Sequence, residues 1–307
     1  MITRRTFVRG VGAFALSGLA LGGYAVAEPW RLNVTRYAPA LPAWPASLKL
    51  RIAVIADIHA CEPWMPAFRV RQIVARTNAL NPDIVLMLGD FIAGHRMVKR
   101  ALPKSEWTSA LAELKAPLGA HAILGNHDWW EDREVQRRRQ GPCKVRTALE
   151  AGGIPVFEND AVRLVKDGQP FWLAGLGDQW AFYWGRKRNS KALHFGFEGV
   201  DDLAATMAKI TDAAPVVMMI HEPDAFADMP ARVALTLAGH THGGQVTFAG
   251  FAPVVPSNYG RRYVYGHVVE DNRHLIVSGG LGCSGVPLRF GVPPEIVVVD
   301  LGHPGVS

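Results

Sequence analysis

The sequence predicts an α/β fold of mixed β-sheets flanked by helices, and three observations carry that expectation. Five apolar runs, residues 51–56, 84–88, 120–124, 216–220 and 233–238, have the length and unbroken hydrophobicity of buried strands. Between the first two, residues 68–80 show helical spacing in Val70, Ile73, Val74 and Thr77, and Asn81-Pro82-Asp83 stops them, giving a βαβ start. The last third alternates Gly/Pro turns with β-rich runs at Val246, Val254, residues 263–269, 274–277 and 296–299, which calls for mixed sheets.

Taken in order, the chain opens on Thr3-Arg4-Arg5-Thr6-Phe7-Val8-Arg9, followed by an uncharged stretch over residues 10–27 that closes on Ala25-Val26-Ala27. A charged start, an apolar middle and small closing residues are the parts of an export signal. The Arg4-Arg5 pair with Phe7 resembles a twin-arginine signal, the bacterial route for proteins exported already folded, which suits a chain that loads metal first. The expectation is export by the twin-arginine machinery to the periplasm or the outer face of the cytoplasmic membrane, with residues 1–27 cleaved after Ala27 or kept as an anchor. Cleavage would remove three arginines and no acid, so the net charge of +6 falls to +3, 30 basic against 27 acidic residues. That mild balance, without a Lys/Arg block or zinc-finger spacing, excludes nucleic acid as the expected partner. Cys61, Cys143 and Cys283 are widely spaced and close at most one disulfide. Residues 28–47, carrying Pro29, Pro39, Pro42 and Pro45 with Trp30 and Trp44, read as an extended lead-in. One folded domain then spans residues 48–302, without a second linker or a repeat. Within it, Lys166-Asp167-Gly168-Gln169 makes a hairpin turn and residues 200–211 a helix.

Each of the five apolar runs ends in polar residues: Asp57-Ile58-His59, Gly89-Asp90, Gly125-Asn126-His127-Asp128, His221-Glu222-Pro223 and Gly239-His240-Thr241-His242-Gly243-Gly244-Gln245. Strand ends that face the same way form the crevice where an open α/β sheet binds ligands, so residues distant in sequence converge there. Asp57 and His59, two apart, leave the same face of an extended segment and can grip one ion; His240 and His242 repeat the spacing. Carboxylate, imidazole and amide oxygen without thiolate suit Mn²⁺, Fe²⁺, Zn²⁺ or Co²⁺. Seven candidate ligands, Asp57, His59, Asp90, Asn126, His221, His240 and His242, exceed one tetrahedral site with an open position and suit two divalent ions sharing a carboxylate. Paired ions roughly 3.5–4 Å apart generate a hydroxide nucleophile at neutral pH and clamp a phosphoryl group. Singly each motif is weak, because an Asp-x-His at a strand end is more often a turn or a cap. The ordered set carries the reading.

In this order the motifs resemble the calcineurin-like metallophosphoesterase superfamily over residues 48–301. The Gly-His-Thr-His-Gly-Gly-Gln form, the twin-arginine start and the segment from Gly280-Leu281-Gly282 to Pro293-Pro294-Glu295 resemble its bacterial exported or membrane-associated phosphodiesterase branch. The resemblance implies a four-layer αββα fold whose two mixed sheets pack as a sandwich. It implies a first metal held by Asp57, His59, Asp90 and His242 and a second by Asp90, Asn126, His221 and His240, with Asp90 as the bridge. A metal-bridging hydroxide would attack phosphorus. His127 would stabilise the phosphoryl oxygens or protonate the leaving alkoxide, with Asp128 orienting its ring. Departures narrow the class. After Gly89-Asp90 the chain runs Phe91-Ile92-Ala93-Gly94-His95, without the acidic residue and arginine of protein phosphatases, and Ala93 replaces the tyrosine of purple acid phosphatases. The expected substrate is a phosphodiester, of a lipid headgroup or an envelope precursor. A broad phosphomonoesterase, a nucleotide-sugar pyrophosphatase and an exported metal-binding protein without turnover are the competing readings.

Trp180-Ala181-Phe182-Tyr183-Trp184-Gly185-Arg186-Lys187-Arg188 sets an aromatic cluster beside a basic one. It reads either as a peripheral membrane contact through Trp180, Phe182, Trp184, Arg186, Lys187 and Arg188, or as a loop that plugs the core. Trp129 and Trp130, beside His127, are placed as a wall of the substrate cleft. Glu222 and Asp224 read as helix-start residues rather than ligands.

Overall fold

The computed structural model describes residues 21–93, 97–183 and 196–302. The twin-arginine motif, His95 and the 184–188 part of the aromatic-basic stretch lie outside the described residues. The main strands are β1 (Asn33–Tyr37), β2 (Leu50–Ile55), β3 (Ile84–Leu88), β4 (Ala120–Ile123), β5 (Asp160–Lys166), β6 (Gln169–Gly175), β7 (Val216–Met219), β8 (Leu235–Ala238), β9 (Gly266–Glu270), β10 (Arg273–Val277) and β11 (Glu295–Leu301). They form a five-stranded sheet in the order β1-β11-β2-β3-β4 and a six-stranded sheet in the order β9-β10-β8-β7-β6-β5. Both sheets are mixed. Strands β2, β3 and β4 run parallel while β11 is antiparallel to β2. Strands β6, β7, β8 and β10 run parallel, with β5 and β9 antiparallel at the edges.

Alternation along each strand sorts side chains into layers. Ile52 and Val54 of β2 and Leu86 and Leu88 of β3 meet Leu173, Val217, Met219, Leu235, Leu237 and Ile276 between the sheets. Ala53, Ile55, Val85 and Met87 face the other way, onto Val70, Ile73 and Val74 of helix α1 (Ala67–Asn78), together with Trp107 and Leu149. On the outer face of the second sheet Ala174, Val216, Met218 and Val277 pack on Phe226 and Tyr263. The expected sandwich between helical layers is the observed fold. The five site-bearing strands are parallel within their sheets, and their C-terminal ends meet at one edge of the sandwich.

The hairpin turn is where the sequence places it: Lys166 pairs with Gln169 across Asp167 (φ 49°) and Gly168 (φ 76°), a two-residue loop with both central residues left-handed. The expected helix over residues 200–211 is shorter, Leu203–Ala208. The lead-in needs correction. Asn33–Tyr37 is an edge strand pairing in parallel with Glu295 to Val299, and Leu41 and Trp44 are buried between the sheets, so the folded body begins well before residue 48. The prolines cluster after β1, which left a proline-free strand inside a segment read by its average composition. Val246 and Val254 lie outside any strand, because Gly243, Gly244, Ala249 and Gly250 all take positive φ and break a ladder there. Residues 21–27 are helical and Glu28–Trp30 continues as a 3₁₀ turn. Among the described residues no helix is long and apolar enough to cross a membrane. All three cysteines are buried and unpaired.

Candidate metal centre

The seven residues expected as ligands converge. Asp57 and His59 follow β2, Asp90 follows β3 and Asn126 follows β4 on the first sheet; His221 follows β7 and His240 and His242 follow β8 on the second. Ligand atoms of Asp57, His59 and His242 lie within 4.8 Å of one another, as do those of Asp90, His221 and His240. His59 Nε2 is 3.1 Å from His242 Nε2, and Asn126 Oδ1 is 3.1 Å from His221 Nε2 and 3.0 Å from His240 Nδ1. Asp90 joins the groups: its Oδ2 stands 3.5 Å from His59 Nε2 and 3.4 Å from His221 Nε2.

The local backbone is bent to achieve this. Asp57 (φ 52°), His59 (φ 48°), Asp90 (φ 56°), His240 (φ 70°) and His242 (φ 53°) all sit in the left-handed region, which L-residues adopt at a cost of order 1–3 kcal/mol each. Left-handed φ at so many functional side chains marks strain retained for a site. Two histidine rings are oriented by carbonyls: His59 Nδ1 donates to Ile92 O at 3.0 Å and His221 Nδ1 to Leu88 O at 2.6 Å, turning each Nε2 inward. Burial pushes His59 and His240 down to about 3 and holds His242 well below its usual value, so these rings are neutral and ready to ligate. Burial would raise Asp90, yet positive charge at His221 holds it well below the carboxylate range, and in return Asp90 draws His221 up. Asp90 is thus an ionised carboxylate where the two groups of ligand-type residues meet. These buried, converging acceptors fit divalent metal ions.

Asp128 corrects an expectation. Its Oδ2 accepts from Asp90 N (2.9 Å) and Gly125 N (3.0 Å) and its Oδ1 from Phe91 N (2.9 Å), so the carboxylate ties two ligand loops together and does not orient His127. The His127 ring instead has a buried Nδ1 without a partner and Nε2 3.3 Å from Ser284 Oγ. Ser284 lies inside the segment from Gly280 to Glu295 that carries a resemblance, but a lone serine between Cys283 and Gly285 gave no sign of a role at His127. It is held by Gln245, whose Oε1 accepts from Ser284 N and whose Nε2 donates to Ser284 O and Val286 O.

Beside the centre lies a cleft of about 440 Å³, lined by Asp90, Asn126, His127, His240 and His242 at its floor and by Trp130 and Trp180 against Val246, Pro253, Val254 and Val286 on its walls. Trp130 is a wall as expected, but Trp129 is buried in the core. Of the residues considered for a membrane contact, Phe182 is buried against Trp129, and the half-buried Trp180 stacks on Phe197 and meets the edge of His240. Arg289 is fully buried, its donors going to Gly279 O, Gly282 O and Val292 O, with Nη2 3.1 Å from His242 Nδ1. Glu222 and Asp224 start a helix as expected, Glu222 at the N-cap position of the 3₁₀ helix Pro223–Asp228 and Asp224 in its first turn, but the Glu222 side chain does not cap it. Its carboxylate accepts from Gln179 N and lies in a buried cluster with Asp178 and His221. The strand-end rule, applied to β6, would have pointed to Asp178.

Comparison with known proteins agrees with this geometry. The model of the calcineurin-like phosphoesterase family matches residues 50–244. The metallophosphoesterase YkuE of Bacillus subtilis is 28% identical over 98% of this chain and 98% of its own length. A metallophosphoesterase of Aquifex aeolicus is 26% identical over 93% and 97%. The phosphodiesterase YaeI of Escherichia coli is 27% identical over 98% of this chain and 100% of its own. The chain belongs to the calcineurin-like phosphoesterase family and is a phosphoester hydrolase.

Proposed function

We propose that the protein hydrolyses phosphodiesters at a dinuclear centre. Asp57, His59, Asp90 and His242 would hold one divalent ion and Asp90, Asn126, His221 and His240 the other, drawn from Mn, Fe, Zn or Co by the donor set. The observation that carries two ions is the position of Asp90 Oδ2, near-equidistant from an inward imidazole nitrogen of each group, at 3.5 and 3.4 Å. Such a pair supplies Lewis-acid polarisation of phosphoryl oxygens and a nucleophile at neutral pH. The chain's own residues do the rest. His127 lines the cleft with its Nε2 beside Ser284 Oγ, and would serve as proton donor to the leaving oxygen or as phosphoryl partner. Trp130 and Trp180 give the cleft aromatic walls beside the centre.

The diester preference rests on charge. No Lys or Arg is found among the described residues that line the cleft, so beyond the ions no side-chain cation there offsets the extra charge of a monoester or a second phosphate. The relative YaeI carries the name phosphodiesterase, which supports the same reading. Apolar walls favour a diester of a lipid headgroup or an envelope precursor. The metal-loaded protein should cleave bis(p-nitrophenyl) phosphate with kcat/KM at least about tenfold above p-nitrophenyl phosphate and above a nucleotide sugar, a gap of about 1.4 kcal/mol. Wild type and Asp90→Ala cleaving all three equally slowly would end the enzyme reading. Export rests on residues 3–27 of the sequence alone. Changing Arg4 and Arg5 to lysine should leave the protein in the cytoplasmic fraction.

A further inference from the structure

The apolar walls of the cleft continue outward at its mouth into exposed side chains that do not line it, Phe248 and Phe251. Phe248, Phe251, Val254 and Val286 are 58%, 51%, 74% and 45% exposed. Val254 and Val286 also line the cleft, so the exposed rim and the wall are one apolar surface. The two phenylalanines are not on a loose loop. Phe248 and Phe251 exchange backbone hydrogen bonds of 2.9 Å across Ala249 and Gly250, both at positive φ, a tight turn that projects two rings from its ends. The Arg261 guanidinium lies 4.4 Å from the Phe251 ring centroid, a cation beside an aromatic as at bilayer interfaces.

The chain itself indicates what meets this rim. Phe248 packs on Phe290 (5.2 Å between centroids), Phe290 packs on Tyr24 (5.4 Å), and Arg289 N donates to Ala25 O. The helical residues 21–27 therefore lie against the rim, with Leu21 and Val26 exposed, and the preceding residues 10–20 contain no charge. The described end of the leader, residues 21–27, and the apolar rim meet at one edge of the molecule. We infer that Phe248, Phe251, Val254 and Val286 dock the cleft mouth onto a lipid bilayer surface, so that a diester headgroup enters the cleft while its acyl chains stay in the membrane; this rests on the phosphodiesterase reading.

The test uses the full chain with a nitroxide on a Phe251→Cys variant, the native cysteines being buried. The control label sits on Val165→Cys, exposed near the hairpin turn at the opposite end of β6 from the site. With vesicles of phosphatidylethanolamine and phosphatidylglycerol, the label at 251 should lie below the phosphates and the label at 165 in water. The Phe248→Ser/Phe251→Ser variant should keep its rate on soluble bis(p-nitrophenyl) phosphate. On a diacylglycerol p-nitrophenyl phosphodiester embedded in the vesicles it should lose roughly tenfold or more, two buried rings being removed. A label at 251 as water-exposed as that at 165, or undiminished cleavage of the embedded diester, overturns the docking. Shielding of the 251 label by concentrated protein without vesicles also overturns it, in favour of a contact between copies. Should wild type cleave neither diester, the phosphodiesterase reading fails, while label depth still decides the docking.

Discussion

His127 and Asp128 are neighbours with opposite duties, and a pair of variants separates them. His127 has an Nε2 facing the cleft, so His127→Asn should lower kcat by about 10²–10⁴ while bound metal stays at wild-type content. Asp128 accepts three backbone N–H groups of the ligand loops. Asp128→Ala should therefore cost several kcal/mol in thermal unfolding, each orphaned buried N–H costing about 1–3 kcal/mol, and should shed metal. Were Asp128 a partner of the His127 ring, both variants would share a kcat loss with full metal. At this scale the sequence was legible where chemistry and spacing coincide: seven ligand-type residues at strand ends. It was silent where a role depends on a distant loop, as for Ser284, brought to His127 by Gln245.

The strands deliver these side chains only because the turns that follow them are cramped. A Cβ on Gly125 would stand 2.5 Å from Asp90 Oδ1 and 2.6 Å from His221 Nε2, and one on Gly239 would stand 2.8 Å from Asp57 Oδ2. Gly125→Ala should accordingly displace the bridging carboxylate and abolish stoichiometric metal binding, with far-ultraviolet circular dichroism unchanged, since β4 and its pairing end before the turn. Metal analysis beside the spectrum checks it; full metal content would show that the cleft tolerates the methyl group. The strands themselves were readable because burial on both faces makes continuous apolar runs, and β3, β7 and β8 are buried throughout. Strand β1 was not, because its pattern is half-exposed and polar, NVTRY, at a sheet edge where pairing rather than hydrophobicity decides. The short helices Asn126–Trp130 and Arg133–Arg138 escaped for a related reason: too short for periodicity, they are set by the site and by the Asp132 cap.

Across the whole molecule the centre is a seam between two sheets, one supplying Asp57, His59, Asp90 and Asn126 and the other His221, His240 and His242. Even without ions the sheets are tied there, His240 N donating to Asp57 Oδ1 at 2.9 Å. Ions bound across the seam stabilise the native state by mass action, about 2.7 kcal/mol at a hundredfold excess over Kd, so chelation should lower Tm. The size of that drop depends on pH, with a sign fixed by Asp57. Burial, reinforced by the charge of Asp90, raises its carboxyl to about 7 in the ion-free chain, above the ordinary value of about 3.9. A raised folded value means that the ion-free protein gains stability from protonated Asp57 at low pH and loses it as pH rises through about 7. An ion must displace that proton, so below pH 7 each unit of acidification should weaken binding at this site about tenfold. His59 and His240, held near 3, are neutral with or without ions above pH 4 and do not alter the difference. His221, drawn up by Asp90 against its burial, also holds a proton that an ion must displace. The Tm gap between loaded and chelated protein should therefore widen from pH 5 to pH 7.5 and go on widening more gently above it. Calorimetric scans of both forms across that range measure it; a gap independent of pH would mean that neither Asp57 nor His221 holds a displaceable proton in the ion-free chain.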